Sequence, residues 1–247
     1  MPIISGHSGP EKPPKKTREW CNENLDFNGQ AYADAFVLNC TSFKRNGFFL
    51  ELGSRHPKEN NNSYILEKSF GWRGVMVDRE NTYEQEYISQ RPNSIGIIKD
   101  ATKINYKKVF EENNFPRELG FFQLDLEVRD NTALKTLLKI DQEVLNEHTF
   151  ATITMEHDIY TGLENAIQTR SQSRNLLNAR GYYCVFEDIL DPPNVCVDYP
   201  YEDWWVHPDL VDMKYIKSLQ EKNKDKSLMV NTKVGDVNCF KSYEMEY

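Results

Sequence analysis

The segment spanning residues 47–78, GFFLELGSRHPKENNNSYILEKSFGWRGVMVD, leaves the chain few folds to choose from. An apolar run, Phe48-Phe49-Leu50, enters Glu51-Leu52-Gly53 and a polar turn. Residues 63–70 follow with helical character, and a second apolar run, Gly74-Val75-Met76-Val77, ends on Asp78. Strand, tight turn, helix, strand and acid in that order form a crossover of a parallel sheet, a unit that binds a nucleoside at the carboxyl ends of its strands. An acid closing the second strand is placed to accept from two ribose hydroxyls. The turn carries one glycine instead of G-x-G-x-x-G, and a dinucleotide needs that glycine-rich turn to hold its pyrophosphate at a helix N-terminus. S-adenosylmethionine has no phosphate and needs only close approach of the backbone. The segment therefore favours S-adenosylmethionine over NAD.

The same alternation continues on both sides. Residues 17–40 read as a helix with Tyr32, Phe36 and Val37 on one face, and further strands are expected at 94–98, 119–124 and 150–155. Helices are expected at 80–90, 106–112, 131–145 and 162–179, the last stopping at Gly181. Residues 182–186 and 195–199 read as a closing antiparallel pair, and 214–247 as a short charged helix with a strand-like end. The predicted fold is α/β, a Rossmann-like, mostly parallel, doubly wound sheet with helices on both faces and a C-terminal antiparallel pair. A Pro- and Lys-rich lead-in, residues 1–16, precedes one domain over 17–247.

Acids recur where the predicted strands end, and in an open α/β sheet those ends form the ligand crevice. Glu51, Gly53, Ser54 and Asp78, with Arg79, Asp100 and Ala101, make up the expected cofactor half, Asp78 on the ribose and Asp100 near the adenine amino group. Asp125, Glu127, Glu156 and His157 lie after the fourth and fifth strands and offer hard oxygen donors plus an imidazole, which suit Mg²⁺ or Mn²⁺. Asp125, Glu156 and His157 are the expected metal ligands, with Glu127 as general base. If Asp125 and Glu127 both lay in the strand, they would point the same way. A bound cation would stabilise the alkoxide that forms as a carboxylate takes an alcohol's proton. Each acid taken singly is as well explained by helix capping.

Composition excludes several classes. The net charge of −8 argues against a general affinity for nucleic-acid backbone, and no apolar run approaches the length of a membrane span. The first residues lack the pattern of a signal peptide, and five cysteines without a C-x-x-C pair fit neither a disulfide framework nor a zinc site. A reducing, cytoplasmic setting is the expectation; oligomeric state is left open.

Taken together, Phe48-Phe49-Leu50-Glu51-Leu52-Gly53-Ser54, Asn62-Ser63, Leu66-Glu67, Gly71-Trp72-Arg73-Gly74-Val75-Met76-Val77-Asp78, Phe122-Gln123-Leu124-Asp125-Leu126-Glu127 and Glu202-Asp203-Trp204-Trp205-Val206-His207-Pro208 resemble the motifs of FkbM-type S-adenosylmethionine-dependent methyltransferases over residues 45–210. The resemblance implies a class I methyltransferase fold and methylation of an oxygen, often on a sugar, with a divalent cation on the acids after strands four and five. Val128-Arg129 departs from it, standing where the family usually has a glycine. The expected acceptor is a sugar hydroxyl of a glycan or nucleotide sugar. RNA or protein methylation, or a nucleoside-binding module without catalysis, are the rival readings. Arg170 and Arg174, four apart on one helix, read as a solvated face or as a grip for a phosphate; Trp204 and Trp205 read as core anchors or a stacking surface for a sugar; His56 reads as an exposed loop residue.

Overall fold

The computed structural model describes residues 25–190 and 200–223. Seven strands form one sheet: β1 (Phe48–Leu52), β2 (Arg73–Asp78), β3 (Ile95–Ile98), β4 (Glu118–Leu124), β5 (Thr149–Glu156), β6 (Tyr183–Leu190) and β7 (Pro200–Val206). Their order is β3-β2-β1-β4-β5-β7-β6, and β7 alone runs against its neighbours. This is a Rossmann-like α/β fold, a mostly parallel, doubly wound sheet with one antiparallel strand, as expected. The chain builds outward from β1 to β3, then returns to β4, so the order reverses between β1 and β4 and a crevice opens at the carboxyl ends of those two strands.

Seven helices flank the sheet among the described residues: α1 (Ala33–Cys40), α2 (Tyr64–Phe70), α3 (Glu84–Gln90), α4 (Tyr106–Glu112), α5 (Thr132–Glu143), α6 (Glu164–Ala179) and α7 (Met213–Asn223). The first is shorter than expected. A 3₁₀ turn at Gln30–Tyr32 precedes it, with Ala31 and Tyr32 at positive φ, and residues 17–24 lie outside the described part. Strand alternation distributes the core to two faces. Phe49, Met76, Phe121 and Trp204 pack on one side with α1; Leu50, Leu52, Val75, Val77, Phe122 and Trp205 pack on the other with α5. Trp204 and Trp205 are 0% and 1% exposed, so both are core anchors, and the stacking reading does not hold. Trp72 donates from Nε1 to the Lys44 carbonyl at 2.7 Å. Its indole fills space that the missing Cβ atoms of Gly47 and Gly120 leave, which would lie 2.5 and 2.2 Å from it.

Two expectations change. The expected partner of the first C-terminal strand, residues 195–199, lies outside the described residues; the strand that pairs with β6 is β7, which contains the Glu202-Asp203-Trp204-Trp205 motif itself. Asp100 does not end a strand: β3 stops at Ile98, and Asp100 caps a 3₁₀ turn at Ala101–Lys103, accepting from Thr102 N–H at 3.0 Å. Among the described residues no helix is long and apolar enough to cross a membrane.

Candidate functional site

The crevice floor is the turn after β1. Gly53 and Ser54 N–H both donate to the Val77 carbonyl, at 2.9 and 3.2 Å, which ties the turn to the end of β2. Gly53 adopts φ +83°, and a Cβ there would lie 1.7 Å from the Asp125 carbonyl oxygen. The glycine is thus required by the chain's own backbone, where the Asp125 N–H donates to Leu52 O at 3.0 Å across the switch point. Asp78 is half-buried at the end of β2. Its Oδ2 accepts from Arg55 N–H at 2.8 Å and its Oδ1 from Glu80 N–H at 2.9 Å, so the carboxylate is fixed at the crevice rim with acceptor capacity to spare. Arg79, beside it, is exposed, and Ala101 is buried against Tyr106, whose hydroxyl donates to the Ala101 carbonyl at 2.9 Å.

Glu51 and Ser54 take a different place from the one expected. Glu51 is buried beneath the crossover. Its carboxylate accepts from Asn62 N–H at 3.1 Å, Ser63 Oγ at 2.7 Å and Asn61 Nδ2 at 3.1 Å. Burial raises its proton affinity, and Arg91 opposes the rise. Arg91, itself 1% exposed, donates to Glu67, Asn61 and Ser63. Both Glu51 oxygens are therefore spent on holding the loop that leads into α2. Ser54 is likewise buried, 2.8 Å from the Tyr87 hydroxyl, which donates in turn to the Arg55 carbonyl. Tyr87, Asn61 and Arg91 carry no sequence signal of this role, since each acts through a contact that only the folded loop creates.

On the other side of the switch point, Asp125 follows β4 and Glu156 ends β5. Burial pushes both carboxyls up, the charges of Asp125 and Asp158 raise Glu156 further, and the Arg55 guanidinium opposes the rise at Asp125. Burial raises Asp158 too, and no Lys or Arg ion-pairs with any of the three among the described residues. Directly opposite Glu156 in the β5–β7 register stands Glu202. Its Oε1 accepts from Trp204 Nε1 at 2.7 Å and Tyr201 Oη at 2.9 Å, yet burial outweighs these bonds and pushes it up to about 8. Four acids thus share one strand-end site. Glu202 went unnoticed as a site residue because only the antiparallel register brings it there. Replacing it by glutamine keeps both accepted bonds. Wild-type stability from this group is complete below its ordinary value of 4.5 and is lost as pH rises through about 8. E202Q is therefore expected to raise the melting temperature at pH 8 and leave it unchanged at pH 4; thermal melts across pH test this, and equal profiles for the two proteins would refute it.

Glu127 and His157 do not join these acids. Because β4 ends at Leu124, Asp125 and Glu127 are not both in the strand. Glu127 sits on an exposed loop, its carboxylate accepting from Arg129 N–H at 2.9 Å with Arg129 Nε 3.9 Å away. His157, one residue past Glu156, turns to the opposite side and is fully buried. Its Nδ1 accepts from Ile159 N–H at 3.3 Å, and its Nε2 lies 3.3 Å from Asp203 and 3.6 Å from Asp188 without a hydrogen bond. His157, Asp188 and Asp203 are the donor set whose atoms lie within 4.8 Å of one another among the described residues. That set is already neutralised. Arg174 holds Asp203 through Nε and Nη2 at 2.7 Å each and reaches Asp188 at 3.1 Å, while Arg170 pairs with Asp188. Burial alone would raise Asp203, but the Arg174 guanidinium and His157 draw it well below the carboxylate range. Arg170 and Arg174 are neither a solvated face nor a free phosphate grip, because both are committed to these acids. His56, in the turn after β1, accepts from Lys58 and Glu59 N–H and lies edge-on to Tyr83.

Beside Glu127 opens a pocket of about 640 Å³, lined by Arg129, Tyr160, Thr161, Leu163, Glu164 and Asn165. Asn165 Nδ2 donates to the Arg129 carbonyl at 2.6 Å, joining the loop after β4 to the start of α6.

No protein-family model matches the chain, and no curated protein matches its sequence. Solved structures with a similar chain trace include a TehB-like SAM-dependent methyltransferase from Corynebacterium glutamicum, 9% identical, with 71% of this chain and 87% of that one covered and a TM-score of 0.43. A 1,6-didemethyltoxoflavin-N1-methyltransferase from Burkholderia thailandensis, with 1,6-didemethyltoxoflavin and S-adenosylhomocysteine bound, is 13% identical over 76% of this chain and 80% of that one, with a TM-score of 0.43. A precorrin-6y C5,15-methyltransferase from Geobacter metallireducens is 10% identical over 70% and 86%, with a TM-score of 0.40. Likeness at these identities and scores bears on neither activity nor acceptor.

Proposed function

We propose that the chain is an S-adenosylmethionine-dependent O-methyltransferase of FkbM type, acting on a sugar hydroxyl with a divalent cation at Asp125 and Glu156. The observation that supports it most is the pairing at the switch point. The single-glycine turn and Asp78 stand on one side of the crevice, and a pair of half-buried acids with no ion-pairing Lys or Arg among the described residues stands on the other. Asp78 takes the ribose hydroxyls, and the Gly53 turn lets the methyl donor lie against bare backbone. Half-buried carboxylates whose proton affinity is raised and which make no ion pair with Lys or Arg fit Mg²⁺, which is commonly held by one or two carboxylates and keeps several waters. His157 does not fit as a ligand, since its Nε2 faces Asp203, and in this reading it steadies the end of β5. A cation there would stabilise the alkoxide of the acceptor. Glu127, exposed beside the pocket, accepts the hydroxyl proton. The acceptor oxygen then forms its bond to the methyl carbon as the carbon–sulfur bond breaks, and S-adenosylhomocysteine leaves with the electron pair on sulfur. Holding the two reactants in line supplies much of the rate.

The test is methyl transfer from labelled S-adenosylmethionine to a panel of sugars and oligosaccharides, with and without EDTA. The expected result is transfer to sugar that EDTA reduces at least tenfold and Mg²⁺ restores. Transfer indifferent to EDTA would remove the cation and leave the methyltransferase standing; transfer only to RNA would remove the sugar.

A further inference from the structure

Resting on that reading, we infer that the pocket beside Glu127 takes an acceptor sugar carrying an anionic group, a phosphate or a carboxylate, which Arg129 recognises. Arg129 is the arginine that lines this pocket. Elsewhere Arg91, Arg170, Arg174 and Arg180 are held in ion pairs, Arg45 and Arg73 lie over the rings of Phe70 and Phe48, and the exposed Arg55, Arg79 and Arg117 stand outside the lining. Arg129 has only a long contact with Glu127, and its side chain is 73% exposed while lining the pocket. Its backbone is fixed: Val128 is buried, and Asn165 holds the Arg129 carbonyl. An anchored backbone aims the guanidinium at the pocket at little entropic cost, and its planar fork suits phosphate and carboxylate.

The rest of the lining suits a ring. Tyr160 and Leu163 are unusually exposed for their type, and Ile167, one helical turn beyond Leu163, adds to the same surface. An apolar sugar face packs on such a surface, while Thr161, Glu164 and Asn165 offer groups for its hydroxyls. With the ring there, one hydroxyl reaches Glu127 while the anion meets Arg129, two residues away in the same loop. In a chain of net charge −8 an anionic ligand is repelled at long range, so a local cation is what such an acceptor needs.

The experiment measures binding of glucose, glucuronate and glucose 6-phosphate to the full chain saturated with S-adenosylhomocysteine, by calorimetry, for wild type, R129A, R129K and Y160A. Wild type is expected to bind at least one anionic sugar tenfold or more tighter than glucose, weakening with salt. R129A should abolish that preference and leave glucose affinity unchanged, R129K should restore part of it, and Y160A should weaken all three sugars alike. Which anion is preferred identifies carboxylate or phosphate. Equal affinity of wild type for charged and neutral sugars, no sugar binding at all, or an R129A loss shared equally by glucose would overturn the inference. Failure of S-adenosylhomocysteine itself to bind would instead count against the methyltransferase reading beneath it.

Discussion

Replacing Gly53 by alanine is expected to abolish binding of S-adenosylmethionine and to lower the melting temperature by roughly 6–12 °C, for a destabilisation of ~3 kcal/mol in a chain of this size. Two costs combine. A non-glycine residue at φ +83° pays about 1–2 kcal/mol for the left-handed conformation. The added methyl would also sit 1.7 Å from the Asp125 carbonyl oxygen, backbone that no rotamer change can clear. Either the β1 turn lifts or the end of β4 retreats, and both the Leu52–Asp125 hydrogen bond and the turn's hold on Val77 suffer. The cofactor surface and the acid pair are then displaced together. Scanning fluorimetry and calorimetry with S-adenosylmethionine measure the two effects, and a variant that melts and binds like wild type would show that the turn does not form the cofactor floor.

Asp125→Asn and Glu156→Gln should produce the opposite combination, a large loss of rate with no loss of stability. Methyl transfer is expected to fall by roughly 10²–10⁴-fold, the usual scale for losing a group that stabilises or accepts charge at the reacting oxygen. Affinity for S-adenosylmethionine should stay within about twofold, because neither residue touches the Asp78 side of the crevice in this reading. The sign for stability follows from the raised proton affinities. A carboxyl raised in the folded state contributes stability that is complete below its unfolded value and disappears as pH rises through the folded one. Above the folded-state values the wild type carries desolvated charge, so the amides should melt at or above the wild-type temperature as pH rises, with the advantage vanishing at acid pH. Activity kept with stability lost would make the pair a structural feature and end the catalytic assignment.

Much of this architecture is legible in the chain because parallel strands buried on both faces appear as unbroken apolar runs. The run Gly74-Val75-Met76-Val77 closing on Asp78 lies within β2, and the run that starts at Phe48 opens β1. β7 was harder to see. Its acids, Glu202 and Asp203, look like a surface motif, and only the pairing of Met155 with Asp203 and Glu156 with Glu202 reveals that both are buried in the sheet. The candidate site was legible as a set of strand-end acids but not in its partition. Neighbours in sequence at a strand end diverge in space, so Glu156 and His157 join different clusters, and the chain leaves the strand at Leu124, as expected, which separates Glu127 from Asp125. The burial of Glu51 under Asn61, Ser63 and Arg91 depends on a loop whose conformation no periodicity encodes.

The Arg174 bridge to Asp203 and Asp188 has a mechanical consequence. It rivets α6 to the outer strands, so the helix whose first turn walls the pocket cannot tilt away from the sheet independently. The segment between that rivet and β5 contains Gly162 at φ +66°, with open space where a side chain would be. The wall of the pocket therefore has two unlike ends: a helix pinned to the sheet by its arginine, and a hydrogen-bonded turn closed by Gly162, where a larger residue would meet no neighbour but would have to hold a left-handed backbone.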